Sequence, residues 1–460
     1  MTASPGTSRQ RLRPSLIAVA AAVAAFFALS LAARAHADGE TTKAFHPVGT
    51  TGRALIFRPR NVDGRSVVRA SVTYRVDLRR KTEQRTRRIP VRRIRHALEH
   101  GKRLKVAKPR QAEGGRLLVR ARKPGGPQGS SCEFGAFSAS AVPGACWRPY
   151  SDYSPFNRGV GTAPRALANS SAVVSRLTGF GPPQSIVGGS ADTRDDWDHP
   201  LYFSQPSDPV YTIHCVEDWG TCEIEGMQVR IPDVARPAGG EDGSMGVIDQ
   251  AGNWEYDFWQ VRSKPSGGGT ITVSWGGRTE IGTPTADGLG SNATAAHFGT
   301  AAGVIRPEEL KAGLIDHALF LVVKCTNGTY VWPAHGPGAG RSCSSIGLSN
   351  ANAPALGQHF YLDMTDAQIA ALQVPQWKRT ILTAMAHYGM FVGDTGGDSW
   401  RLKVQSGTSH TSFGFGDPWV RLGRALGADP YQGDYVFALE GGVDWSRLAV
   451  ADPCVSKGSC

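Results

Sequence analysis

The residues best suited to chemistry lie in one short segment, 254–260, which reads Trp-Glu-Tyr-Asp-Phe-Trp-Gln. Alternate residues of a β-strand share a face, so a strand here would project Glu255, Asp257 and Trp259 together and turn Trp254 the other way. Two carboxylates beside an indole suit a sugar site, because aromatic rings stack on sugars while carboxylates act as acid, base or nucleophile. Mutual repulsion would raise the pKa of one carboxyl, as a general acid needs.

This segment resembles the catalytic strand of the laminarinase-type jelly-roll glycosidases, Glu-x-Asp-x-x-Glu. The resemblance implies that Glu255 is the nucleophile and Asp257 its helper. Gln260 stands where that family has its acid/base glutamate, and an amide cannot donate the proton. The acid is then expected elsewhere in the chain, with Asp242, Asp249 and Asp394 as examples. The simpler interpretation is that Glu255 and Asp257 lie on a solvated strand face or pair with arginines.

A second reaction class is elimination by a polysaccharide lyase, in which His or Tyr abstracts a proton beside a uronate carboxylate that Arg or His neutralises. His214 and His317 lie in largely apolar surroundings and are the candidate bases. Arg306 is the candidate for binding the carboxylate, and Trp254 and Trp259 are the candidates for binding sugar. Buried histidines are more often hydrogen-bonded core residues, which is the alternative for both.

Other chemistries have less support in the sequence. It contains no Gly-x-Ser-x-Gly motif of α/β-hydrolases and no P-loop. We expect no cofactor. The Gly- and Asp-rich segment 393–398 offers oxygens to a Ca²⁺ ion, although such a segment is more often a turn.

The first 37 residues predict export. Three arginines precede an apolar run over 16–33, and an Ala-His-Ala cleavage site follows at 35–37. This order is typical of a secretory signal. The alternative is an uncleaved anchor, because the run nearly reaches the length that spans a bilayer. No second run of that length follows, so we expect a secreted mature protein without a transmembrane segment.

The cysteine count supports an oxidising compartment. All eight cysteines lie beyond the predicted signal, and an even number in an exported chain favours disulfides over zinc, for which no CxxC pair exists. Pairing of sequence neighbours is the simplest connectivity: Cys132 with Cys146, Cys215 with Cys222, Cys325 with Cys343, and Cys454 with Cys460.

Charge divides the chain into two modules. The net charge is +12. Residues 43–123 hold 25 Lys and Arg against five acids, residues 124–460 hold 22 basic and 32 acidic residues, and residues 1–42 add four Arg against two acids. We therefore predict a basic module at 38–123, a Gly- and Pro-rich linker at 124–131 and a large module at 132–460. The basic module suits an acidic wall polymer or phospholipid headgroups, and it lacks motifs that read nucleic acid. The alternative is that the charge serves solubility alone.

Strand-like runs dominate both modules, so the predicted fold is mainly β. In the basic module, runs at 54–57, 67–76, 104–106 and 117–119 predict an immunoglobulin-like sandwich, with a turn at Gly114-Gly115 and a short helix over 92–100. In the large module, a hairpin of 245–249 with 254–259 and strands at 270–275, 317–323, 329–332 and 400–404 predict a β-sandwich or jelly roll with helical insertions. Helices are expected at 307–310 and 375–387.

The segments 242–260, 301–319 and 385–396 also resemble secreted proteins of high-GC bacteria, and the excess of Arg (39) over Lys (12) is consistent with that source. Together these features predict a secreted enzyme that degrades extracellular or cell-wall polysaccharide. Hydrolysis is favoured over lyase elimination. The alternative from another class is a non-catalytic protein that binds glycan or cell wall, in which the tryptophans matter and the carboxylates do not.

Overall fold

The computed structural model describes residues 45–51, 54–59, 67–78, 81–100, 102–108, 112–121, 129–135, 147–249, 251–336 and 340–460. The predicted signal at 1–37 and the predicted disulfide partner Cys146 lie outside these residues. Within them, no helix has both the length and the apolar character needed to cross a bilayer.

The described residues of the basic module form two antiparallel sheets and one helix. The first sheet has the strand order β1-β2-β5, and the second has the order β4-β3-β6-β7. The helix, α1, packs against β3 of one sheet and β5 of the other. The bounds are β1 Phe45–Thr51, β2 Ala54–Pro59, β3 Val67–Leu78, β4 Lys81–Arg88, α1 Val91–Glu99, β5 Leu104–Ala107, β6 Ala112–Ala121 and β7 Gly129–Gly135.

The helix and the four predicted strands of this module are confirmed, but the predicted turn at Gly114-Gly115 is wrong. Both glycines lie inside β6, where they pair with Arg75 and Tyr74 of β3. Strand β7 begins at Gly129, within the predicted linker, and pairs with β6. The basic module therefore extends to Gly135.

Helix α1 forms because its apolar residues fall on one side. Ile94 and Ala97 are buried, as is Leu104 of β5, whereas the arginines of α1 remain exposed. The guanidinium of Arg93 donates a hydrogen bond to the carbonyl of Lys105 (2.6 Å), which ties the helix to β5. Burial of the short apolar stripe thus leaves the charged face in solvent.

The large module is built on a six-stranded sheet and a five-stranded sheet, with a small third sheet. Their strand orders are β11-β10-β14-β13-β12-β9, β18-β15-β17-β16-β21 and β19-β20-β8. The strands are β8 Ile186–Gly188, β9 Leu201–Phe203, β10 Val210–Cys215, β11 Gln228–Arg230, β12 Met245–Asp249, β13 Trp254–Ser263, β14 Gly269–Glu280, β15 Leu319–Val323, β16 His359–Leu362, β17 Met390–Thr395, β18 Arg401–Leu402, β19 Asp429–Tyr431, β20 Asp434–Phe437 and β21 Leu448–Val450.

The β-rich prediction and the β12–β13 hairpin are confirmed, and the strand topology adds a feature that the sequence did not predict. Three strand pairs are parallel: β10 with β14, β9 with β12, and β15 with β17. Jelly rolls are built from antiparallel strands, so these pairs depart from the expected pattern. The predicted strand at 329–332 is wrong, because this segment forms only an isolated bridge between Tyr330 and Leu356.

Both predicted helices of the large module are confirmed, and the described residues contain five more. Most of these are short, and two begin with proline behind a capping aspartate. Asp417, for example, accepts a hydrogen bond from the backbone N–H of Trp419 (2.8 Å). The helices are α2 Ser170–Thr178, α3 Pro307–Ala312, α4 Asp366–Ala371, α5 Gln376–His387, α6 Thr408–Thr411, α7 Pro418–Leu426 and α8 Pro453–Lys457.

The two ends of the large module meet in space. The backbone N–H of Leu167 donates to the carbonyl of Val450 (2.8 Å), and Ala166 forms a bridge with Ala451. Arg165 forms an ion pair with Asp452 (2.9 Å). Residues near 166 are therefore packed only when residues near 451 are in place.

Three of the four predicted disulfides lie within the described residues, and all three are confirmed: Cys215 with Cys222, Cys325 with Cys343, and Cys454 with Cys460. Both cysteines of the second pair are fully buried. The fourth prediction, Cys132 with Cys146, involves a residue outside the description.

Candidate functional site

Glu255 and Asp257 share one face of β13, as the alternation predicts, but the structure buries both completely. The Tyr150 hydroxyl donates to Glu255 Oε2 (2.6 Å), and the backbone N–H of Ala301 donates to Glu255 Oε1 (2.6 Å). The backbone N–H of Thr300 donates to Asp257 Oδ1 (3.1 Å). The two carboxyls therefore attach the segment around Thr300 to the sheet.

The backbone leaves no room above these carboxyls. A Cβ atom placed on Gly299 would lie 2.4 Å from the Tyr150 hydroxyl oxygen and 3.1 Å from Glu255 Oε1. On β14, a Cβ on Gly277 would lie 2.4 Å from the backbone nitrogen of Asn292. Glycine at these positions lets the chain pack directly over the pair, and a sugar cannot reach either carboxyl in this conformation.

Burial also sets the charge of the pair. Desolvation raises the pKa of Glu255 well above its usual value, and the negative charge of Asp257 raises it further. Burial raises the pKa of Asp257 as well, against hydrogen bonding from Thr300. The pKa of Tyr150 is raised by burial and then by Glu255. Burial thus disfavours a charge on Glu255, within hydrogen bonds that hold the structure together.

The remaining carboxylate candidate, Asp249, ends β12 and shapes a turn. Its Oδ1 accepts hydrogen bonds from the backbone N–H groups of Ala251 (3.1 Å) and Gly252 (3.0 Å). Trp254 lies on the opposite face of β13 from Glu255, where the Arg278 guanidinium stacks over its ring at 4.0 Å. Neither residue lies with the other candidates.

The two histidine candidates lie apart. His214 is half exposed, and its Nδ1 lies 3.3 Å from Glu225, whose other oxygen accepts the backbone N–H of Cys215 (2.6 Å). His317 is buried: Nε2 lies 3.0 Å from Glu309 and Nδ1 lies 2.8 Å from the carbonyl of Ala318. Burial opposes a charge on His317, but Glu309 outweighs it and raises the pKa of the histidine.

The structure does bring Arg306 and His317 together, around the same carboxylate. Arg306 Nη2 donates to Glu309 Oε1 (2.8 Å) and to the carbonyl of Trp147 (3.0 Å). The adjoining cavity, which both residues line, has a volume of about 10 Å³. That is room for about one water molecule, so this pair cannot hold a uronate ring.

The tryptophans form a different kind of surface. Trp259 of β13 pairs directly with Trp275 of β14, and the ring of Trp219, in the loop after β10, lies 5.3 Å from Trp259 and 5.7 Å from Trp275 between centroids. The Trp219 side chain is 57% exposed. We call these three residues the tryptophan surface. Trp219 was not predicted, because its loop has no periodicity that would place it beside β13.

One member of the tryptophan surface also contacts a charged cluster. Trp259 Nε1 donates to Asp242 Oδ1 (3.3 Å), and Asp242 interacts electrostatically with Asp394 and Lys403. Asp198 interacts with Lys403 as well. We call Asp198, Asp242 and Asp394, grouped around Lys403, the carboxylate cluster. Asp242 and Asp394 are two of the residues that the sequence suggested as sources of the acid.

The carboxylate cluster is held by backbone contacts. Lys403 is 2% exposed, and its ammonium group donates a hydrogen bond to the carbonyl of Trp197. Asp198 accepts a hydrogen bond from the backbone N–H of Val404 (3.3 Å). Burial is the main cause that lowers the pKa of Lys403, and the positive charge of the nearby Arg401 lowers it further. Strand β17, the residue after β18 and the loops before β9 and β12 supply these groups, from segments far apart in the chain.

Asp394 has the pKa of a group that exchanges protons near neutral pH. Burial raises its pKa to about 6; Lys403 opposes the rise and Asp242 adds to it. The side chain remains partly exposed. A carboxyl in this state can hold a proton and still contact a ligand. Asp398, from the same predicted Ca²⁺ loop, instead points into solvent 3.8 Å from Lys324.

The predicted strand is therefore present, but both of its predicted catalytic carboxylates are buried. The structure places Trp259 at an accessible surface beside Asp242 and Asp394, and it places Glu255 and Asp257 in the interior of the same face. No family model, curated protein or solved structure matches the chain.

Proposed function

We propose that the large module is an extracellular glycoside hydrolase that binds polysaccharide on the tryptophan surface and cleaves it at the carboxylate cluster. The observation that carries this proposal is the hydrogen bond from Trp259 to Asp242. It joins aromatic rings, of which Trp219 is exposed, Trp259 half-buried and Trp275 buried, to carboxylates, which suit glycosidic bond cleavage.

Each group has a role that its surroundings support. Trp219 is the most exposed of the three indoles and stacks on a sugar ring. Asp394, with a pKa of about 6, protonates the glycosidic oxygen as general acid. Asp242 is the second carboxylate, acting on the anomeric carbon directly or through water. Lys403 balances the negative charge of the cluster.

Hydrolysis is favoured over elimination. A lyase would need its base and its arginine to reach the uronate together, and Arg306 and His317 meet only beside a cavity the size of one water molecule. The remaining alternative is a protein that binds glycan on the tryptophan surface without cleaving it. Lys403 is buried, and the need to balance its positive charge would by itself explain why the three carboxylates lie around it. The carboxylates would then need no catalytic role, which favours that alternative.

The test combines a glycan array with a reducing-sugar assay on secreted protein. Asp394→Asn should keep binding and lower turnover by about 10²- to 10⁴-fold, the range for loss of a general acid. The matched control is Asp398→Asn, four residues away and fully exposed, which should be silent. In the parent protein kcat/KM should fall as pH rises through about 6, because the acid must be protonated.

Binding is tested separately with Trp219→Ala, which should weaken glycan affinity by at least about tenfold. Its control is Tyr153→Ala, because Tyr153 is an exposed aromatic residue outside the site. Binding without product from any glycan would reject the hydrolase and leave the binding protein. Full turnover by Asp394→Asn would remove Asp394 from the mechanism.

A further inference from the structure

The basic module exposes a run of cations on three consecutive elements. Strand β4 ends in Arg87 and Arg88, α1 follows after two residues and presents Arg92, and the segment leading into β5 presents Lys102 and Arg103; all five are exposed. Together with the exposed Lys105 of β5 we call them the basic face.

The charges of the basic face are not neutralised within the part of the chain that the structure describes. No carboxylate there forms an ion pair with Arg87, Arg88, Arg92, Lys102 or Arg103. Like charges held close together repel each other, so their arrangement on one face costs stability unless a partner offsets it. An anionic partner supplies that compensation.

The same face offers nothing apolar to a membrane. The apolar side chains between its cations, Ile89, Ile94, Ala97, Leu104 and Val106, are all buried. An interfacial membrane anchor needs apolar side chains that enter the acyl region. Attachment to a bilayer through charge alone is weaker than attachment that also buries apolar side chains. A bilayer is therefore a less suitable partner than an anionic polymer.

Composition and geometry favour a polymer with planar anionic groups. Most of the cations are arginines, whose guanidinium groups bind carboxylates through two parallel hydrogen bonds. The exposed residues among the described side chains of 85–108 include no aromatic ring that could stack on nucleobases, apart from the imidazoles of His96 and His100. Those imidazoles lie 4.4 Å apart, against each other.

We propose that the basic face binds an acidic polysaccharide that carries uronate carboxylates, and so holds the protein on such a polymer. This binding is independent of the tryptophan surface and of any cleavage by the large module. Because the attraction is electrostatic, affinity falls steadily as salt rises.

The experiment uses the full chain and polygalacturonate as the probe, with uncharged dextran for comparison, at about 50 mM salt, where the Debye length still spans neighbouring charges. A patch variant changes Arg87, Arg92, Arg103 and Lys105 to Gln. Each cation near an anionic surface contributes about fivefold, so binding should weaken by at least about fivefold if one of the four contacts the polymer and by up to roughly 600-fold if all four do.

Two controls keep the result interpretable. A matched variant changes four exposed cations of the large module, Arg194, Lys311, Arg421 and Lys457, to Gln and so loses the same charge; it should bind as the parent does. A variant that changes Arg87, Arg92 and Arg103 to Lys keeps the charge but loses the paired hydrogen bonds. It should bind more weakly than the parent and more tightly than the patch variant, which separates loss of charge from loss of folding.

Other outcomes overturn the proposal. Equal weakening by the matched variant would mean that overall charge, and not the basic face, determines binding. Unchanged binding by the patch variant would locate the polymer elsewhere. Binding to phosphatidylglycerol vesicles or to single-stranded DNA, without binding to polygalacturonate, would replace the acidic polysaccharide with a membrane or a nucleic acid.

Discussion

Glu255 allows the buried arrangement to be tested directly, by comparing two substitutions. Glu255→Ala removes the acceptor of two buried hydrogen bonds, from Tyr150 and from the backbone of Ala301. A buried donor left without an acceptor costs about 1–3 kcal/mol. The alanine variant should therefore lose about 2–6 kcal/mol of unfolding free energy, before the cavity adds to the loss.

Glu255→Gln should behave differently. The amide oxygen still accepts the Ala301 N–H, and the amide nitrogen, in the position of Oε2, can donate to the Tyr150 hydroxyl oxygen instead of accepting from it. The charge of Glu255, which burial and Asp257 make unfavourable, is gone. We expect the glutamine variant to be within about 1 kcal/mol of the parent at pH 5, the usual net value of one hydrogen bond, and more stable than the parent at pH 8.

The pH dependence follows from the direction of the pKa change. Below the ordinary carboxyl pKa, folded and unfolded chains both hold the proton. As pH rises, the unfolded chain releases its proton first, so stability that Glu255 contributes is lost as pH rises through its raised pKa. The parent should become less stable from pH 5 to pH 8, and Glu255→Gln should show a smaller loss.

Tryptophan fluorescence during urea unfolding measures this in the large module alone, because all 11 tryptophans lie at or beyond Trp147. Glu241→Gln is the control, since it removes an exposed carboxylate and should leave the pH dependence unchanged. A glutamine variant as unstable as the alanine variant would refute the reasoning. So would a glutamine variant that folds normally but loses glycan turnover, because a substrate must then reach Glu255.

Two further predictions concern buried groups. Glu309→Ala should lower the unfolding free energy by about 3–5 kcal/mol, because it leaves two buried cations without their carboxylate. Glu308→Ala breaks no ion pair among the described residues and should lower the unfolding free energy by less. Equal losses of unfolding free energy in urea titrations of the two variants would contradict this. Under mild reductant, the disulfide 454–460 should open before the disulfide 325–343, whose cysteines are inaccessible; peptide mapping after alkylation measures the order, and the reverse order would argue against the buried placement.

Local structure was largely predictable from the sequence. The alternation through β12 and β13 specified the hairpin, and helical spacing over 375–387 specified α5, because each signal is contained in one short segment. The pairing of neighbouring cysteines was also right wherever the structure describes both residues. Gly114 and Gly115 misled the prediction, because glycine in a strand and glycine in a turn look alike without knowledge of the paired strand.

The site was harder to predict, since its parts come from distant segments. Nothing near Glu255 in the sequence indicates that Gly299 and Tyr150 close over it, some 45 residues later and 105 residues earlier. Likewise, the raised pKa of Asp394 depends on Lys403 and Asp242, which only the fold brings near it. Alternation predicts which residues share a face of a strand. It does not predict which residues on that face are buried and which are exposed to solvent.

The meeting of the two ends of the large module has a consequence for the route by which the protein is made. The hydrogen bond from Leu167 to Val450 and the bridge between Ala166 and Ala451 join the first and last parts of a unit of about 300 residues. Because a protein is synthesised from its amino end, this seam cannot close until the residues near 451 have been made. Closing the seam is thus a late step in the folding of the module, since contacts so far apart in sequence form slowly.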